Sequence, residues 1–325
     1  MGASRMNKHA RIARASLMAI LAGGLLACSG QQGESAPAAA PQAPQSQDVR
    51  RFTIGGMTGI ALRDGSLELP NDNKVLGVGR TPAEVAEVLT AASLPSDTLR
   101  LSVQPLLVRA GGRVMLFDTG AGASMGEGAG NLTAALAEAG VTPDSITDVF
   151  ISHLHPDHVG GLIDAAGNPA FPNAAIRISA PEWDLLQGLD ARRAAAFNLP
   201  NFKQVEMAIG PDAAPFQPGG DVLPGLVRAV EVKGHTPGHS AFRIGTGANS
   251  LLYIGDSMHH HVISVQKPEW TIAFDADAAA GAASRASLLE QLATSGQRIY
   301  AVHFPFPGLG KIEKRENGYV WVAEQ

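Results

Sequence analysis

The stretch His153-Leu154-His155-Pro156-Asp157-His158-Val159-Gly160-Gly161 sets three imidazoles and a carboxylate within six residues, a density that neither core packing nor solubility calls for. Just ahead of it, Thr147-Asp148-Val149-Phe150-Ile151 is short, apolar and rich in β-branched residues, the pattern of a buried strand ending at Ser152. The ligand candidates then sit on the turn that leaves this strand, with Gly160 and Gly161 letting the backbone bend before the next helix. His153 and His155, two apart, share one space if the backbone is extended, whereas Asp157 and His158 follow the change of direction at Pro156. That arrangement suits two neighbouring cations better than one. The plain alternative is a His-rich surface turn, and the rest of the chain argues against it.

Apart from His9, every histidine falls in one of four clusters: 153–158, Gly234-His235-Thr236-Pro237-Gly238-His239, Gly255-Asp256-Ser257-Met258-His259-His260-His261, and His303. Each of the later three also follows a strand-like run. Val227–Val232 precedes His235, Leu251–Ile254 precedes Asp256, and Ile299–Val302 precedes His303. Strand ends on one edge of a sheet converge, so the clusters can meet.

This ordered set, HxHxDH, GHTPGH, GD and a late His, resembles the metallo-β-lactamase superfamily of binuclear hydrolases across the chain from about residue 50. The resemblance implies an α/β fold, an αββα sandwich of two mixed β-sheets flanked by helices, with the metals in the cleft at the sheets' edge. It implies that His153, His155 and His235 hold a first metal, that Asp157, His158 and His303 hold a second, and that Asp256 bridges them. Asp157 and Asp256 are the expected catalytic carboxylates, Asp157 as a proton shuttle. Asp118, at the end of Val114–Phe117, stands where the resemblance puts a carboxylate behind a ligating His, although a turn-initiating Asp is an equal reading. His239 is expected to brace its loop, and His259-His260-His261 to form a solvated loop.

Imidazole and carboxylate suit two divalent ions, zinc by default, with Mn²⁺, Co²⁺ and Fe²⁺ also accepted. Such a pair brings a bridging water's pKa toward neutrality and gives a hydroxide nucleophile, so no Ser or Cys is needed. Thr271–Asp277 and His303–Gly310 look like the methyl parathion hydrolase and lactonase-like branch, which implies a small neutral ester, lactone or phosphotriester substrate. Trp183, Phe197, Phe304 and Phe306 are the candidates for an apolar pocket. A periplasmic β-lactamase is the competing enzyme, opposed by Asp256. A non-catalytic, lipid-anchored metal-binding protein is the competing non-enzyme, opposed by the complete ligand set. The net charge of -5, more acidic still without the basic leader, disfavours nucleic acid.

Ahead of this domain, Arg5, Lys8, Arg11 and Arg14 precede the apolar run Leu17–Leu26 and then Leu25-Leu26-Ala27-Cys28. This reads as an export signal, and its end resembles a bacterial lipobox with Cys28 lipidated; secretion with cleavage elsewhere is the alternative. The expected organisation is a lipoprotein-type signal over 1–28, a disordered tether over 29–50 and one hydrolase domain over 51–325. Such a protein is exported to the periplasm, touches the membrane only through its anchor, and is free to form a homodimer. Cys28 is the single cysteine, which excludes an intramolecular disulfide.

Within the domain, Thr81-Pro82-Ala83-Glu84 predicts a capping box opening a helix over Val85–Ala92. Helices are predicted over Asn131–Ala139 and Ser284–Ser295, each stopped by a glycine, and strands over Leu101–Arg109, Val114–Phe117, Ala175–Ser179 and Ala241–Ile244. Segments 119–130 and 195–225 are expected to be long loops covering the cleft.

Overall fold

Along the strand Arg113–Phe117, Met115 and Phe117 point into one apolar cluster and Leu116 into another, so both faces of this strand are buried. That is the signature of a sheet covered on both sides. The computed structural model describes residues 47–325 apart from 211, 212 and 214. The export segment, Cys28 and most of the tether lie outside the described residues.

Two sheets form the frame. One has six strands in the order Val49–Ile54, Met57–Leu62, Leu106–Ala110, Arg113–Phe117, Asp148–Phe150, Ala175–Arg177; the last two pairings are parallel and the others antiparallel. The other has seven, in the order Asp221–Leu223, Val227–Glu231, Ser240–Ile244, Leu251–Tyr253, Arg298–Tyr300, Leu309–Arg315, Gly318–Ala323; only Leu251–Tyr253 and Arg298–Tyr300 pair in parallel. Ala61, Val108, Phe117 and Phe150 from the first sheet pack against Ala229, Phe242, Tyr253 and Tyr300 from the second. Phe117 stacks on Phe150 with ring centroids 4.7 Å apart, an offset contact worth about 1 kcal/mol beyond the area it buries.

Helices cover the outer faces. Leu132, Leu136, Leu186 and Val205 lie over the first sheet, and Leu288, Leu289 and Leu292 of the helix Ala278–Ser295 over the second. The αββα architecture implied by the sequence is present.

Local signals mostly hold. The helix Pro82–Ala91 carries both hydrogen bonds of the capping box, and Gly296 ends Ala278–Ser295 in the left-handed conformation at φ +63°. Two expectations fail. The run Leu101–Arg109 is two strands in different sheets, Thr98–Val103 and Leu106–Ala110, parted at Gln104-Pro105 where proline has no N–H for a ladder. Residues 195–225 are no long loop, because the helices Ala191–Ala196 and Phe202–Ile209 and the strand Asp221–Leu223 occupy much of that segment. Gly160 and Gly161 act through close approach rather than a bend. A Cβ on Gly160 would lie 2.1 Å from the Ala121 carbonyl oxygen, and one on Gly161 2.0 Å from that of Thr119.

Candidate metal centre

Four chain reversals bring the clusters together. Ser152–His155 leaves the strand Asp148–Phe150, and Asp157 and His158 lie in the first turn of the helix Pro156–Val159, where Pro156 can start a helix because its missing N–H has no partner there anyway. His235 follows Val227–Glu231, Asp256 lies in the turn Gly255–Ser257 after Leu251–Tyr253, and His303 follows Arg298–Tyr300. All belong to the same edge of the sandwich.

Two groups of ligand atoms result: His153, His155, His235 and Asp256, and separately Asp157, His158 and His303, with the atoms of each group within 4.8 Å of one another. In the first group, His235 Nε2 lies 3.0 Å from His153 Nε2 and 2.9 Å from His155 Nδ1, and the latter two are 2.9 Å apart. At most one proton fits among three mutually touching imidazole nitrogens, so at least two lone pairs converge on one point. A cation satisfies all three. Asp256 faces both groups: Oδ2 lies 3.3 Å from His235 Nε2 and 3.7 Å from His153 Nε2, while Oδ1 lies 3.1 Å from His158 Nε2 and 3.0 Å from His303 Nε2. Asp157 Oδ2 is 3.6 Å from His303 Nε2 and 3.7 Å from His158 Nε2.

His158 Nε2 and Asp256 Oδ1 are buried and make no hydrogen bond among the described residues. Orphaned buried polar atoms are costly, and here they point at the space a cation would fill. The donor set therefore fits divalent metal, zinc first.

Electrostatics divides the imidazoles into two kinds. Burial, then repulsion from neighbouring imidazoles, holds His153 and His155 well below the usual histidine range, so both present lone pairs at neutral pH. Burial opposes protonation of His158 too, yet the carboxylates of Asp256, Asp157 and Asp118 push it well above. His235 is likewise raised, to about 9, as hydrogen bonds to Asp256 and Asp275 outweigh burial. Burial would lift Asp256, but the charges of His158, His303, His153 and His259 hold it well below the usual carboxylate range.

Around the ligands stands a ring of acceptors. Asp118 Oδ2 is 2.7 Å from His158 Nδ1 and accepts from Ser152 Oγ and Tyr253 Oη, while Oδ1 accepts from Ser152 N. His239 Nε2 accepts from the Asp256 backbone N at 2.9 Å, so this ring braces the bridging turn. Buried Glu182 accepts from Leu154 N through Oε2 and from Gly238 N through Oε1, joining two ligand loops at the start of the helix Ala180–Gln187. Its only local sequence signal is the cap Ser179. Glu182 and Tyr253 reach partners remote in the chain, so no local pattern marks either side chain as part of the site.

Other expectations need correction. His259 and His260 are buried, at 1% and 3% exposure, so they are no solvated loop. His259 Nε2 lies 3.1 Å from Asp256 Oδ2, and its ring stacks on that of His303. Phe304 is wholly buried beside Trp321 in the core under the helix Ala278–Ser295, so it lines no pocket although it adjoins His303 in the turn after Arg298–Tyr300. Phe306 lies under Arg63 and lines a cavity of about 630 Å³ with Arg100 and His261, a cavity that none of the seven ligand candidates lines. Trp183 is half-buried against the helices over the first sheet. Phe197 is near the centre, its ring centroid 6.3 Å from that of His155. Phe274, which is not among the four pocket candidates read from the sequence, is exposed, with its ring 6.5 Å from His155 and 5.8 Å from His259.

A sandwich of two mixed sheets whose strand ends gather two such ligand groups around one shared carboxylate defines a metalloprotein of the αββα class. The metallo-beta-lactamase superfamily profile matches residues 100–303, and the chain belongs to that superfamily. Among solved structures it is similar to AidC, a dizinc quorum-quenching lactonase in complex with a product, N-hexanoyl-L-homoserine. The two are 29% identical, with 86% of this chain and 98% of that chain covered and a TM-score of 0.79. It is also similar to AbOPH, a hydrolase in the beta lactamase superfamily, at 28% identity, 86% and 99% coverage and a TM-score of 0.75. A probable metallo-hydrolase of Mycobacterium tuberculosis is 28% identical over 138 residues, 38% of this chain and 41% of that protein. The chain thus matches about two fifths of the length of that curated relative.

Proposed function

We propose that the protein is a binuclear metal-dependent hydrolase of small neutral esters, with a lactone as its main substrate and phosphotriesters as a side reaction. One observation carries the reading: Asp256 turns one oxygen to each of two separate ligand groups, which suits two cations rather than one. His153, His155 and His235 would hold one ion, Asp157, His158 and His303 the other. What two divalent ions would supply when bound is Lewis-acid polarisation of a carbonyl or phosphoryl oxygen and a water acidified toward neutrality.

The chain's own residues do the rest. Asp157, with a side-chain exposure of 12% against 4% for Asp256, is the ligand carboxylate that reaches solvent, so it is placed to take a proton from water and deliver it to the leaving alkoxide. Phe197 and Phe274 flank His155 with apolar rings, a wall that favours a neutral, partly apolar substrate. The likeness to a lactonase over nearly its whole length supports the lactone class. The basic and apolar leader supports export to the periplasm.

The test is to load the purified protein with zinc and compare initial rates on an N-acyl homoserine lactone, an aryl ester, methyl paraoxon and a chromogenic cephalosporin, with Asp256→Ala as control. Lactone turnover that exceeds the others and disappears in the variant is the expected outcome. Cephalosporin turnover alone, or none with two zinc ions bound, overturns the substrate assignment.

A further inference from the structure

Behind His235 lies a set of contacts that the reaction itself does not use. Asp275 Oδ1 is 3.0 Å from His235 Nδ1, and the two side chains are 1% and 3% exposed. A carboxylate only accepts, so a proton stays on Nδ1, and Nε2 is the ring nitrogen turned toward His153 and His155, the atom left to ligate a cation. The other oxygen of Asp275, Oδ2, lies 3.4 Å from Nη1 of Arg285.

Arg285 is 1% exposed, in the helix Ala278–Ser295, and this placement has a reason. Its Nε donates to the Pro268 carbonyl at 2.9 Å and its Nη2 to that of Trp270 at 3.1 Å, so one planar guanidinium holds three points of the segment 268–275. Backbone contacts fix the same segment to the ligand loop: Ala276 N donates to His235 O and Asp277 N to Gly234 O, each at 2.9 Å. Helix and loop also meet without side chains between them. A Cβ on Gly234 would lie 2.0 Å from Gly281 N, and one on Gly281 2.6 Å from Asp275 Oδ2.

We infer that Arg285 and Asp275 are positioning residues for the metal centre: Arg285 fixes Asp275, and Asp275 fixes the rotamer and tautomer of His235, so this helix sets the affinity of one cation position and not the other. The inference rests on the metal reading above. An acceptor behind a ligating histidine changes metal affinity by roughly 10- to 100-fold.

The experiment is competition between the full-length protein and a chromophoric zinc chelator, which yields both zinc affinities, with thermal unfolding of each zinc-free form alongside. Asp275→Ala is expected to weaken one zinc position roughly 10- to 100-fold while the other stays within about twofold of the parent. Arg285→Lys, which keeps the charge and loses the fork, is expected to weaken the same position less. Should Asp275→Ala fail to fold, the near-isosteric Asp275→Asn decides, with a smaller loss at the same position expected. Unchanged affinities in a folded Asp275 variant, or an equal loss at both positions, overturn the inference while leaving the binuclear reading intact. A parent protein that takes up no zinc overturns that reading and this inference together.

Discussion

Asp118→Asn isolates the outer support of the second ligand group. Four donors converge on this buried carboxylate, each at 2.7 Å: Ser152 N, Ser152 Oγ, His158 Nδ1 and Tyr253 Oη. The hydroxyls can rotate away, but the Ser152 backbone N–H and the His158 ring cannot. An amide has one oxygen where the carboxylate has two, so in either orientation it satisfies one of those fixed groups and turns its NH₂ toward the other. Ser152 N then loses its acceptor, or His158 is pressed to move its proton to Nε2 and give up the lone pair that faces the centre. The backbone adds no strain of its own, since position 118 has φ +56° and Asn tolerates the left-handed region as Asp does. Losing one charge-assisted hydrogen bond costs roughly 1.5–3 kcal/mol. If that cost falls on the loaded state, zinc affinity at the His158 position drops roughly 10- to 100-fold, at about 1.4 kcal/mol per decade. Chelator competition reads it directly. A folded Asp118→Asn protein whose two zinc affinities both stay within about twofold of the parent refutes the reasoning.

Two further outcomes follow from the packing. Gly161→Ala forces a Cβ to within 2.0 Å of the Thr119 carbonyl oxygen, so it is expected to cost about 3 kcal/mol in urea unfolding, and an unchanged midpoint contradicts the close-approach argument. Asp148 is fully buried between Arg113 and Arg177; burial would raise it, but hydrogen bonds from Arg177, Thr147 and Arg113 hold it below its ordinary value. A depressed native pKa contributes stability above the unfolded value of about 3.9 and loses it as pH falls through the lower native value. Unfolding free energy measured from neutral pH into acid should therefore fall less steeply in Asp148→Asn, and parallel curves for variant and parent exclude the role.

The sequence by itself determined which side chains make up the candidate ligand set, because ligand chemistry is carried by residue type and the spacing of His153, His155, Asp157 and His158 is local. It also determined the strands that precede each cluster and the caps at Thr81 and Gly296, where a few adjacent residues satisfy the backbone. Beyond Asp118 and His239, only the tertiary structure decided what stands behind the ligand candidates. Glu182 meets Leu154 and Gly238, and Arg285 meets Pro268, Trp270 and Asp275, through contacts between separate elements that no local pattern encodes. It also sorted the aromatic residues, placing Phe197 and Phe274 beside His155 while burying Phe304 against Trp321. Apolar side chains read alike in sequence whether they face a core or a cleft, because burial is a property of the assembled layers and not of the residue.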